Sequence, residues 1–302
     1  MRSGLFSMII LFTLNTVFAQ TGGKIGMAYL KIGVDARAAA MGEAYTAIAR
    51  DAAASYWNPA GLALSEKNSA LFMHNAWIQG VNHEFAAVQL FNGLHNLAVS
   101  LNMMFVSGIE LRGEQASDNP IGETSAHNVN LGLSYATTLG NDWKIGGQIK
   151  YLYEKYYLES ASGFAIDLGI MKQNIFSDLS WGLVVQNLGS MSKLRNESTR
   201  LPLSLRTGIG YYLPFTFFNQ KPLFAADLFY VLDDITRLNL GLESQIYEHF
   251  SVRAGYIFGG ESYGVTAGLG FRFASYDIAY AYIPFKYNLG DSHRFSLSVK
   301  FD

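Results

Sequence analysis

Gly264-Val265-Thr266-Ala267-Gly268-Leu269-Gly270-Phe271-Arg272-Phe273 decides the fold. Val265, Ala267, Leu269, Phe271 and Phe273 form one set, and Gly264, Thr266, Gly268, Gly270 and Arg272 the other. In an extended chain the first set makes a greasy face and the second a small or polar one. The same dyad recurs upstream, where Val129, Leu131, Leu133 and Tyr135 alternate with Asn128, Asn130, Gly132 and Ser134. It closes the chain as well, with Phe295, Leu297, Val299 and Phe301 set against Arg294, Ser296, Ser298 and Lys300. A soluble sandwich also alternates, but its outer face is dense in Lys, Glu and Thr. Here the non-apolar face is mostly Gly, Ser, Asn and Ala, and the apolar face often begins or ends in Tyr or Phe. Those features fit strands with one face in lipid, aromatic girdles at both interfaces and a confined lumen opposite.

Composition agrees. Of 302 residues 50% are hydrophobic and 15% charged, against roughly a quarter charged in an ordinary soluble domain. Past the N-terminus no window approaches the roughly 18 consecutive apolar residues of a spanning helix, so the hydrophobic half is carried by strands. Only a closed barrel leaves no strand edge unpaired in hydrocarbon. Cysteine is absent and the formal net charge is −2. Disulfides and a catalytic thiol are thereby excluded, and no basic stripe for nucleic acid is present.

Three regions follow. Residues 1–19 read as a cleaved signal peptide: Met1 and Arg2, an apolar run from Leu5 to Leu14, and small residues before Gln20. Residues 20–67, rich in Ala and Gly, carry no strand of membrane length. Short helices are expected at Ala36 to Met41 and Asp51 to Trp57, with Asp51 as N-cap and a stop near Asn58 because Pro59 follows. Residues 68–302 read as an antiparallel transmembrane β-barrel of about fourteen strands, or twelve if the break at 273/274 is no turn. Asn92-Gly93 and Gly140-Asn141 are tight-turn dipeptides, and the stretches 107–125 and 189–201 read as external loops. A barrel this wide is not filled by its own side chains. The 20–67 segment is therefore expected to form a hatch in the lumen.

Candidate residues are few. Asn58-Pro59-Ala60-Gly61 is either a ligand gate in the hatch or ordinary helix-ending and turn chemistry, and the second reading is favoured. Asp167, Arg206, Asp227, Glu243, Arg253, Arg272, Asp277 and Arg294 fall on the inward set. They are expected to pair with one another or with the hatch rather than to line a substrate path. The six histidines are scattered with no metal-binding pair, and neither a nucleophile elbow nor a phosphate loop appears. No cofactor, metal or catalytic residue is assigned.

The segment Tyr29-Leu30-Lys31-Ile32-Gly33-Val34-Asp35-Ala36-Arg37-Ala38, then Met41-Gly42, then Asp51-Ala52-Ala53-Ala54-Ser55-Tyr56-Trp57-Asn58-Pro59-Ala60-Gly61-Leu62-Ala63, resembles the N-terminal signature of the PorV/PorQ family of outer-membrane proteins, distant relatives of FadL-type transporters. The closing text, Gly268-Leu269-Gly270-Phe271 through Tyr276-Asp277-Ile278-Ala279-Tyr280 to Ser292-His293-Arg294-Phe295, is similar to that family's last strands. The resemblance implies a fourteen-stranded barrel with an N-terminal hatch in the outer membrane of a Gram-negative bacterium. It also implies a non-enzymatic part in type IX protein secretion or cell-surface attachment. Its partners would then be outer-membrane lipid, secretion-system subunits and secreted proteins bearing C-terminal signal domains. A FadL-like transporter of a hydrophobic ligand is the alternative.

Overall fold

The computed structural model describes residues 25–114, 118–140, 142–198, 200–260 and 262–302. The expected signal segment 1–19 and Asn141 of the Gly140-Asn141 turn lie outside them. The strands of the first half are β1 (Asn68–Ala76), β2 (Asn82–Asn92), β3 (His95–Leu111), β4 (Gly122–Leu139), β5 (Trp143–Tyr156), β6 (Glu159–Lys172) and β7 (Leu179–Met191). A small separate hairpin, β8 (Lys193–Leu194) and β9 (Glu197–Ser198), follows. The second half comprises β10 (Ser204–Tyr212), β11 (Leu223–Val231), β12 (Thr236–Ile246), β13 (Phe250–Phe258), β14 (Val265–Phe273), β15 (Tyr276–Pro284) and β16 (Asp291–Phe301).

All but β8 and β9 form one closed antiparallel barrel of fourteen strands, in which β16 returns to pair with β1. The doubtful break at 273/274 is a genuine turn. Phe273 pairs with Tyr276 across Ala274 and Ser275, with Ala274 in the left-handed region. Side chains alternate as the dyad requires. On β14, Val265, Ala267, Leu269 and Phe271 face out, while Thr266 and Gly270 are buried. The outward apolar residues continue around the barrel through Leu297, Phe72, Val99, Leu131 and Leu168, all exposed.

The end of the barrel that carries the chain terminus at Asp302 has mostly tight connections, such as 93–94, 247–249 and 274–275. The opposite end holds 112–121 and the longest connection, 192–203, while the first end carries one comparable connection, 213–222. Short turns belong on the periplasmic side of an outer-membrane barrel and long loops outside. The expected external loops are partly strand. β3 runs on to Leu111 and β4 starts at Gly122, with a register shift between Val106 and Ile109, and β7 reaches Met191. Above the membrane a strand pairs with its neighbour without needing one face greasy, so the dyad fades while the ladder continues. β4, at 18 residues, is about eight longer than a tilted span needs. Its surplus of ~25 Å along the strand raises one side of the wall.

Leu269 lies midway along the lipid-facing run of β14. Leu269→Arg is expected to lower stability in phospholipid vesicles by about 2–4 kcal/mol, read by reversible denaturant titration; an unchanged value would mean that this face does not meet lipid.

Candidate functional site

Residues 25–67 pass through the lumen. They fold as a 3₁₀ turn at Ala28–Lys31, α1 (Ala36–Ala40), a 3₁₀ turn at Asp51–Ala53 running into α2 (Ala54–Trp57), and a 3₁₀ helix at Pro59–Leu64. Asp35 caps α1, its carboxylate accepting from the Arg37 N–H at 3.2 Å. Asp51 is not the expected cap. It sits inside the 3₁₀ turn, and its carboxylate accepts from the Ser65 hydroxyl at 3.0 Å and meets Lys300 at 2.8 Å. Asp51 has a positive φ of 57°.

These helices are too short to satisfy their own backbone, and the barrel's inward polar residues do it for them. Ser296 Oγ accepts from Ala36 N at 2.7 Å and Ser69 Oγ from Ala52 N at 2.9 Å. Gln186 donates to the Tyr56 carbonyl at 2.7 Å, and Thr266 Oγ1 both accepts from Gly42 N and donates to the Ala40 carbonyl, at 3.0 Å each.

Close approach is made possible by glycine. Gly146, Gly182, Gly241 and Gly268, on β5, β7, β12 and β14, face the segment directly. A Cβ at Gly146 would stand 2.5 Å from the Pro59 carbonyl carbon, one at Gly182 would stand 2.7 Å from the Thr46 oxygen, and one at Gly241 would stand 2.5 Å from the Met41 oxygen. Apolar packing completes the contact: Val34, Ala38, Trp57 and Leu62 are fully buried, and Trp57 makes edge contacts with Tyr45 and Tyr56.

The charges named from sequence divide in two. Six are lumenal and engaged. Glu243 holds Arg37 through both oxygens, at 2.8 and 2.7 Å, and Arg253 at 2.5 Å. Asp227 accepts from the N–H groups of Tyr45 and Thr46 and from the Thr46 hydroxyl, at 2.9, 2.8 and 2.6 Å. Asp167 pairs with Lys150 at 2.6 Å. Arg206 stacks 3.5 Å over Phe229 and 5.0 Å from Trp57, and Arg294 donates to the Gly33 carbonyl at 2.7 Å. Arg272 and Asp277 pair with each other at 2.9 Å, but at the half-exposed periplasmic rim. There they border a polar vestibule of about 400 Å³ shared with Arg37, Arg50 and Lys300.

Asn58 is fully buried. Its Oδ1 accepts from Ala60 N at 3.2 Å, and its Nδ2 donates to the carbonyls of Thr46 and of Ile170 on β6, at 3.2 and 3.3 Å. Pro59 opens the 3₁₀ helix, and Ala60 and Gly61 are buried behind it. Sequence reasoning missed Arg37, Asp35 and Lys150. For Asp35 and Arg37 the available signal was a charge inside alanine-rich text, and for Lys150 a charge on the inward set of β5, since a charge destined for burial must find a partner. Burial pushes Tyr45 up to about 12 and lifts the Asp35 carboxyl above its usual range, with Arg37 opposing both. Among the described residues no cluster of His, Asp and Glu suits a metal ion.

Residues 19–212 match the family model described as type IX secretion system protein PorV. No curated protein matches the chain. Among solved structures, the TodX monoaromatic hydrocarbon channel deltaS2 mutant is similar, with a TM-score of 0.60 and 11% identity over 89% of this chain and 97% of that one. A Pseudomonas aeruginosa FadL homologue is similar with a TM-score of 0.56, also at 11% identity, over 89% and 98%. At such identity both likenesses speak of the fold.

Glu243→Gln leaves Arg37 and Arg253 facing each other without their shared anion, a loss expected to cost about 3–5 kcal/mol. The lumenal segment should loosen before the barrel does. Protease cleavage within 25–67 and single-channel conductance in planar bilayers should rise while heat-modifiable gel mobility stays unchanged. Asn58→Ala should act in the same direction by about 1–3 kcal/mol, the penalty of leaving two buried carbonyls short of a donor.

Proposed function

Because the chain belongs to the PorV family of type IX secretion system proteins, we propose that it is a non-enzymatic outer-membrane component of type IX secretion that binds other proteins rather than passing solutes. The observation that carries this reading beyond the family is the filled lumen. A backbone segment wedged against glycines and tied by Glu243, Asp227 and Asn58 acts as a closed hatch over residues 25–67, so the barrel serves as a scaffold.

The working surface in this reading is the raised extracellular wall of β3 to β6. Ile109, Ile121, Tyr157 and Leu158 are exposed there, beyond the length of strand that lipid covers. Apolar side chains held in water on paired strands suit a protein partner. By the same reading, secreted proteins with C-terminal signal domains and other secretion subunits are the partners, and the lumenal charges hold the hatch rather than a ligand.

Tyr156, Tyr157, Phe217 and Phe218 are all exposed aromatics at strand ends or in connections. The fold separates them: the first two stand at the extracellular end, and Phe217-Phe218 lie in the 213–222 connection at the other.

Affinity purification of the full-length protein from its own outer membranes tests the reading. Secreted proteins sharing a C-terminal domain should co-purify, and the double variant Ile121→Asp, Leu158→Asp should lower their recovery roughly tenfold, the equivalent of about 1.4 kcal/mol. Recovery of a hydrophobic small molecule in the lumen with no protein partner would instead support transport.

A further inference from the structure

The outer wall carries a polar pair where the dyad calls for apolar residues. His74 on β1 shares its face with Phe72, and Glu84 on β2 shares its face with Ala86; the inward neighbours Met73 and Phe85 are buried against the lumen. His74 and Glu84 stand opposite each other in register, with Nδ1 2.7 Å from Oε1. The next strands place Phe295 beside His74 and Met103 beside Glu84. One row toward the periplasm, the small side chain of Ala86 lies among Phe72, Leu101, Leu297 and Ile278, and the deficit opens a groove of about 470 Å³ on the lipid-facing surface, with His74 and Glu84 at its upper end. His74 is two residues short of the extracellular end of β1 at Ala76, about 7 Å along the strand. The pair thus lies near the level at which the linkage groups of outer-leaflet lipids meet their acyl chains.

We propose that this groove on β15, β16, β1, β2 and β3 is a binding site for a single outer-leaflet lipid whose amide N–H or hydroxyl donates to Glu84 and whose acyl chain fills the trough over Ala86. The ligand class follows from two demands made at once. A carboxylate facing hydrocarbon needs hydrogen-bond donors that acyl chains lack, and the imidazole supplies only one. The trough below, lined by Phe72, Leu101, Leu297 and Ile278, needs an apolar filler of chain-like width. An amphiphile with a donor at its linkage meets both demands, polar end toward the extracellular interface and tail toward the bilayer centre. The volume falls in the ordinary range of small-ligand sites.

The test uses the full-length protein purified from its own outer membranes in mild detergent, with lipid bound per chain counted by intact-complex mass spectrometry. The wild type should retain one lipid through exchange washes. Ala86→Phe, which fills the trough, should abolish retention, and Glu84→Gln, which weakens the acceptor, should lower it roughly tenfold. Ile209→Phe, at a lipid-facing position on β10 far from the groove, should retain lipid as the wild type does. Heat-modifiable gel mobility establishes that each variant is folded. Equal retention by Ala86→Phe and wild type overturns the proposal. So does capture of a protein, rather than lipid, by a photoreactive side chain placed at position 86 in living cells.

Discussion

A closed ring of fourteen strands encloses more space than inward side chains can fill, and the rest of the structure answers that one constraint. The filling is a separate segment of the chain, brought in with its main chain against the wall as well as its side chains. This segment of short turns lies so close to the wall that strands β5, β7 and β12 present glycine where any Cβ would collide with its backbone. Because a chain in this state satisfies few of its own N–H and C=O groups, the barrel must carry polar residues at matching positions. Ser69, Gln186, Thr266 and Ser296 do so. The polar inner face, which in an open porin would line water, here completes the hydrogen bonding of the chain that fills it.

Charge is used in the same way. Buried ions are costly unless paired, and each engaged charge ties the segment to the wall or the wall to itself. Arg37 and Glu243 join α1 to β12; Asp227 gathers the Tyr45 and Thr46 amides; Arg206 lies between Phe229 and Trp57. Backbone strain is accepted alongside. Asp35 and Glu43 hold positive φ values of 68° and 62° in a region costly to non-glycine residues. The Asp35 carboxylate caps α1, and the Glu43 carboxylate accepts from Gly33 N at 3.1 Å. Such strained turns persist only where the surroundings over-determine them, as a lumen packed on all sides does.

Outside, the wall is uneven. From β10 to β15 the strands have 9 to 11 residues, about the length that crosses a bilayer, whereas β3 and β4 have 17 and 18. The molecule thus has three distinct environments: a filled lumen, a lipid-facing band, and a raised extracellular wall with exposed apolar residues. The His74–Glu84 pair stands at the upper part of the band, where its surroundings change from hydrocarbon toward water.

Much of this was legible in the residues. The period-two text of Val265 to Phe273 and its repeats specified barrel strands, because lipid on one side and a confined lumen on the other impose opposite demands on successive side chains. Alanine and glycine in 20–67, together with the width of a fourteen-strand ring, pointed to something inside it. Strand ends above the membrane were not legible, since β3 and β4 there answer to hydrogen bonding and no longer to lipid. Nor were the partners of the inward charges. Arg272 and Asp277 carry the same parity as Arg253 and Arg294, yet they sit at the rim because depth along a strand depends on the tilt and stagger of all its neighbours. Alternation is a local property of the chain, and the sequence by itself determined it. Which glycine meets which carbonyl, which anion holds Arg37, and how Asn58 reaches Ile170 are decided only in the tertiary structure, because those contacts join residues far apart in the chain that the barrel brings together.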